Sequence, residues 1–331
     1  MGLAAASLSV GTASAATSGS VGTKAEWRAA LAHVAAPGSG CYRASYPTLA
    51  WHATTCTTAP NIRLAPAKVP ASGIVGDGND YSAVVPGLIS QATGTFTNVS
   101  AGITERGKVG GVRSNRANAF SLQLNSQFFT GSPECSGASD PSSCQAWQQF
   151  VYTYQEKTGF IFMQYWLIDY AATCPKGWFT YSTDCYSNSP SAQLPSGDIT
   201  AAELASTQMV ATASSSTDGV SLSDNGGQAT LVTNRDSKVD LSEFWNTTEW
   251  GVFGDGGGTE ALFNRTASLE PVTALTATSK AAPTCVVEGF TGETNSLKLA
   301  HTPAIGHQAS PTMASKQNQT KPGVASCAKA S

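Results

Sequence analysis

The sequence predicts an all-β fold, an antiparallel double-sheet sandwich with one short N-terminal helix. Three observations carry this. From about Ile74 to Leu299, short runs rich in Val, Phe, Tyr, Trp and Thr alternate with small polar turns, and no helical period interrupts them. Only 12% of the residues are charged, about half the usual share, with Gly, Ser, Thr and Asn filling the gap. Eight cysteines fall in sequential pairs, the usage of a chain that matures in an oxidising compartment.

In chain order, residues 1–16 read as a signal peptide, an apolar Ala/Leu/Val run closing on Ala13-Ser14-Ala15. Residues 17–73 hold the helix and a Pro-rich connector. Thr23 and Glu26 have capping-box spacing, and Trp27, Leu31 and Val34 share a face, so a helix is expected over 23–36, stopped by Pro37-Gly38. NIRLAPAKVPASG reads as an extended connector, because Pro cannot donate to a ladder. Residues 74–300 form the expected β-sandwich domain. In AFSLQLNSQFF, Phe120, Leu122 and Leu124 face one way and Ser121, Gln123 and Asn125 the other. AWQQFVYTY, GFIFMQYWLIDY, STQMVATASS, VSLSD, GQATLVTN, EWGVFGD, GTEALFN and EPVTALTATS follow as strands. GDITAAELAS reads equally as a helical turn or a strand edge. Residues 301–331 are poor in large apolar side chains and are expected to be poorly ordered beyond a tether at Cys327.

The cysteines are expected to pair with their neighbours: Cys41–Cys56, Cys135–Cys144, Cys174–Cys185 and the wider Cys285–Cys327. Short loops cost little entropy to close. Neither a C-x-x-C motif nor zinc-like Cys/His spacing is present, and the His residues at 33, 52, 301 and 307 are scattered, so no metal is expected. Gly76-Asp77-Gly78-Asn79-Asp80 lacks the closing Glu of a calcium loop and reads as a surface turn. The glycine run 256–258 reads as a wide turn between strands. A net charge of −3 without a basic run argues against nucleic acid, and no apolar stretch approaches the ~20 residues of a membrane span. No cofactor motif is present, and a secreted monomer is expected.

Chemistry concentrates on the central strands. Gln148 and Gln149 lie in AWQQFVY, Gln164 beside Trp166 in FMQYW, and Glu249 in NTTEWGVF beside Trp250. Amides beside Trp147, Trp166 and Trp250 can orient a water or hold a sugar hydroxyl. A Glu buried among aromatic rings acquires the raised pKa of a general acid or base. Taken alone, each also reads as a structural group satisfied across strands. Side chains alternate, so only one of Gln148 and Gln149 can share a face with Glu249, and Gln149 is favoured because Trp147 would line the same groove.

The order CQAWQQFVYTY, FMQYWLIDY, the strand opened by Gly197-Asp198, and NTTEWGVF resembles the eqolisin-type glutamic peptidases over roughly residues 115–265. It also resembles a group of secreted bacterial proteins with the same strings. The resemblance implies a concanavalin A-like or jelly-roll type sandwich and a Gln/Glu pair that activates water for peptide hydrolysis at acid pH. Gln148 or Gln149 matches the family glutamine, and Glu249 the first Glu of its Glu-Trp strand. The family's proton-carrying Glu lies four residues further on, where this chain has Phe253. The alternative is a non-catalytic sandwich binding glycan or cell-wall polymer through exposed aromatic rings. The partner is then a polypeptide or a polysaccharide.

Overall fold

The computed structural model describes residues 22–68, 74–110, 115–306, 310–319 and 327–329. The expected signal peptide, 1–16, lies outside them. Two large antiparallel sheets form the sandwich, as the strand texture predicts. The first runs from edge to edge through His52–Thr54, Gly40–Ser45, Gln228–Arg235, Thr217–Ser223, Gln208–Ala213, Ile89–Thr97, Ser268–Ala277, Thr312–Asn318 and Lys298–Gly306. The second runs through Phe179–Tyr181, Asp184–Asn188, Thr158–Ile168, Gln145–Gln155, Phe120–Ser126, Thr247–Gly254, Tyr81–Val84, Thr284–Val287 and Ala328–Lys329. Five neighbouring strands of this second sheet are labelled in chain order: β1 (Tyr81–Val84), β2 (Phe120–Ser126), β3 (Gln145–Gln155), β4 (Thr158–Ile168) and β5 (Thr247–Gly254).

The helix α1 covers Lys24–Leu31, with both halves of the Thr23/Glu26 capping box formed. It stops short of residue 36 because the chain tightens after Leu31, where the His33 N–H donates to the Ala30 carbonyl. Trp27 and Leu31 bury its inner face against Ala44 and Ala229 at the edge of the first sheet. Residues 201–206 of GDITAAELAS form a 3₁₀ helix.

Between the sheets lies the apolar core. Its second-sheet side is supplied by Leu122, Leu124, Phe150, Tyr152, Met163 and Tyr165. Trp250 crosses to the first sheet, its ring centroid 4.9 Å from that of Phe96, and its indole N–H donates to the Thr95 carbonyl at 2.9 Å. The indole lies over Gly94, where a Cβ would come within 2.4 Å of the ring. Only glycine permits that approach.

The sheets reach beyond the expected 74–300. Gly40–Ser45 pairs with Gln228–Arg235, and Lys298–Gly306 and Thr312–Asn318 add an antiparallel hairpin to Ser268–Ala277. These two strands lie largely in the stretch 301–331 that was expected to be poorly ordered; residues 307–309, 320–326 and 330–331 of it lie outside the described residues. In TMASKQN the buried positions are Met313, Ser315 and Gln317, a period of 2 carried mostly by small and polar side chains. The pattern was strand-like, but the composition masked it. All four expected disulfides are formed, with Cα–Cα separations of 5.3–5.7 Å. Four such bonds belong to an oxidising, extracellular type of environment. Among the described residues, no helix is long and apolar enough to cross a membrane.

Candidate functional site

The outer face of the second sheet carries one polar row across its strands. Gln164 on β4 pairs with Gln149 on β3, Gln149 with Asn125 on β2, Asn125 with Glu249 on β5, and Glu249 with Ser82 on β1. Directly opposed residues of an antiparallel pair point to the same side, so all five project together. Each is fully buried.

Hydrogen bonds join the row. The Trp166 indole N–H donates to Gln149 Oε1 (3.1 Å) and Gln164 Oε1 (3.2 Å). Gln149 Nε2 donates to Gln123 Oε1 at 3.0 Å, and Asn125 Nδ2 donates to the same oxygen and, at 2.8 Å, to Glu249 Oε2. Gln149 and Glu249 are therefore linked through Gln123 and Asn125 rather than bonded directly. Removing Gln149 would leave buried donors and acceptors unpaired, at about 1–3 kcal/mol, so its side chain holds the structure together as well as facing the site.

Two pieces of chain cover this face. Residues 61–67, expected to be an extended connector, lie across it. The Leu64 N–H donates to Gln164 Oε1 and Gln164 Nε2 donates to the Ile62 carbonyl, both at 2.9 Å, so one amide side chain grips the strap as a neighbouring strand would. The Gly257 N–H donates to the Arg63 carbonyl, the Gly292 N–H to the Ala65 carbonyl, and the Ala67 N–H to the Phe290 carbonyl. Leu64 packs on Val151 and Phe162, and Ala65 on Trp147, Trp166 and Phe290. The second piece, residues 288–293, seats its Phe290 and Thr291 N–H groups on Glu249 Oε2 at 3.0 and 3.3 Å.

The electrostatics follow from burial. Loss of water raises Glu249 to about 7, against the lowering pull of Asn125 and the two backbone donors. Glu293 is likewise raised by burial to about 7, with Thr291 Oγ1 donating at 2.6 Å and the Ala65 and Gly258 N–H groups at 3.3 and 3.1 Å. Asp80 is raised well above the carboxylate range by burial and by the charge of Glu249. Glu249 and Glu293, raised in this way, can exchange protons near neutral pH, while amide and backbone donors can steady a developing oxyanion.

Of the residues singled out in the sequence, the fold brings Trp147, Gln149, Gln164, Trp166 and Glu249 to one face. Gln148 and Trp250 are not among them. Gln148 points between the sheets, its Nε2 donating to Asp218 Oδ2 at 2.9 Å, and Trp250 belongs to the core. Phe253, four residues beyond Glu249, is buried. The aromatic rings expected to be exposed are covered: Trp147 and Trp166 are inaccessible and Trp250 nearly so. Asp80, expected on a surface turn, is also buried, its Oδ1 accepting from the Tyr81 N–H at 2.7 Å. Sequence reasoning missed Gln123 and Asn125 as site residues, although it placed both on the polar face of their strand. It also missed Glu293 and Asp80, which lie in Gly-rich turn sequences with no periodic signal. Among the described residues, no group of three His, Cys, Asp or Glu side chains is arranged to hold a metal ion. No protein-family model matches this chain, and no curated protein and no solved structure matches it.

Proposed function

We propose that this protein is a secreted, glutamic-peptidase-like hydrolase that cleaves polypeptides at acid pH on the outer face of the second sheet. The observation that carries the reading is the strap. Gln164 on the face, together with Gly257, Gly292 and Phe290 of the adjoining loops, holds residues 61–67 by their backbone. A surface built to do this is complementary to polypeptide in general. In the described conformation the strap occupies the place a substrate would take, and substrate enters as the strap leaves.

In the cleavage step Glu249 removes a proton from water as the water oxygen attacks the peptide carbonyl. The Gln149 amide, held by Gln123 and Trp166, donates to the developing oxyanion. The four disulfides support secretion, and a Glu249 raised to about 7 is ionised, and so able to act as a base, toward the upper end of the pH 2–7 range.

A second reading, polypeptide binding without cleavage, is favoured by one feature: Glu249 Oε2 already accepts from Asn125, Phe290 and Thr291, as a purely structural carboxylate would. Incubation of the full chain with denatured protein between pH 2 and 7, beside E249Q, separates the two. Cleavage in acid that E249Q loses by about 10²-fold or more supports the hydrolase. A wild-type chain that binds the denatured substrate but cleaves it at no pH leaves the binding reading.

A further inference from the structure

Asp80 lies just before β1, and Glu249 on β5 pairs with Ser82, two residues further along β1. The even spacing sets Asp80 and Glu249 on the same side of the sheet as diagonal neighbours. A Cβ at Gly251, two residues beyond Glu249, would lie 3.5 Å from Asp80 Oδ2. A Cβ at Gly289 would lie 2.8 Å from Glu249 Oε1 and 3.4 Å from the Asn79 nitrogen, so this oxygen is turned toward the chain leading into Asp80. Asp80 Oδ1 and Glu249 Oε2 are occupied by N–H donors. The two remaining oxygens, Asp80 Oδ2 and Glu249 Oε1, are both buried and have no hydrogen-bond partner. Two carboxylates cannot both be ionised in one dry site. One proton held by the pair removes the repulsion between them.

We infer that Asp80 and Glu249 share one proton and work as a single acid–base unit, with Asp80 the second catalytic residue of the proposed hydrolysis. The inference rests on that reading of the site. It supplies the acid that a lone Glu249 lacks in a chain with Phe253 four residues beyond it. Water enters as Phe290 and Thr291 give up their places on Glu249. The ionised member of the pair takes a proton from the water while the water oxygen bonds to the carbonyl carbon. The other member gives its proton to the carbonyl oxygen, and a neutral gem-diol forms. In the second step the first carboxyl protonates the amide nitrogen as the C–N bond breaks, and one hydroxyl proton returns to the second. An acid and an amine leave, one water is consumed, and the pair again holds one proton. The charged groups acting on the pair are its own two members and Glu288, whose charge also disfavours ionisation of Glu249.

The test follows the carboxyl C=O infrared band of the full chain through a pH titration, together with the pH profile of cleavage, in wild type, D80N, D80E and E249Q. A shared proton gives two well-separated titration steps in wild type. In D80N, Glu249 loses its like-charged neighbour and titrates at lower pH, kcat falls by about 10²–10⁴-fold, and D80E restores part of it. E249Q lowers the Asp80 step reciprocally, which keeps the test valid if D80N folds poorly. Wild-type cleavage with independent titrations, or with D80N as active as wild type, overturns the pair and leaves the hydrolase reading. A coupled titration in a chain that cleaves nothing overturns the catalytic role, together with that reading.

Discussion

The two faces of the second sheet are equally dry and chemically opposite. On the inner face, Leu122, Leu124, Phe150, Tyr152 and Met163 interlock with the other sheet. On the outer face, one residue away along the same strands, Gln123, Asn125, Gln149, Gln164 and Glu249 are buried just as completely. Burial alone therefore does not mark a core. The inner face is covered by a partner that the strand pattern demands. The outer face is covered by residues 61–67 and 288–293, which must supply hydrogen bonds as well as bulk.

The largest expected consequence of this difference is a pH dependence to which the outer face contributes two buried glutamates. Glu249 and Glu293 rise from 4.5 to about 7, chiefly through burial. Between those values the folded chain holds protons that the unfolded chain has released, so stability falls as pH rises. One such group gains on the order of 3 kcal/mol between pH 7 and 4.5 at about 1.4 kcal/mol per pKa unit. A melting temperature that climbs as pH is lowered from 8 toward 4.5 is expected, and that climb should shrink in E293Q. A flat profile, or one that E293Q leaves unchanged, would mean that the outer-face glutamates do not drive it.

Next in size is Phe150→Ala, adjacent to Gln149 but facing inward, its ring centroid 5.5 Å from that of Trp245. Truncation in a packed core costs about 3–5 kcal/mol. Denaturant unfolding should show this loss with little change between pH 5 and 8, since no proton is involved. The smallest effect is expected for Gln164→Ala, which releases the Leu64 N–H and the Ile62 carbonyl from the strap. A cost of about 1–3 kcal/mol should be confined there, read as faster hydrogen exchange at Leu64 and unchanged protection at Phe150. Equal loss at both positions would mean that the strap and the core open together.

Much of this division was legible in the sequence, because period-2 alternation assigns faces without knowing what covers them. It separated Gln149 from Gln148, and the polar set of β2 from Leu122 and Leu124. Cysteine spacing gave the disulfides. The strap was not legible as a cover: Pro-rich NIRLAPA has no ladder pattern, and its bonds run to the Gln164 side chain and to glycine N–H groups distant in sequence. Glu293 and Asp80 were hidden for a related reason. Each sits in a Gly-rich turn whose burial is decided by long-range packing, which no local period records. The strands of the C-terminal segment had the right alternation but a composition that resembled a solvated tail.

Trp250 and Glu249 are consecutive on β5, so they leave the strand on opposite sides. The indole rests on Gly94 of the other sheet with no room for a side chain between them. This contact sets the local distance between the sheets, and so the height at which the Glu249 carboxylate stands on the far side. Any side chain larger than hydrogen at position 94 would lift the strand from below and tilt the acid above it. The tolerance of the proposed chemistry to sequence drift is thus governed in part by a residue that touches none of it, and a survey of natural variants should find position 94 as restricted as position 249 itself.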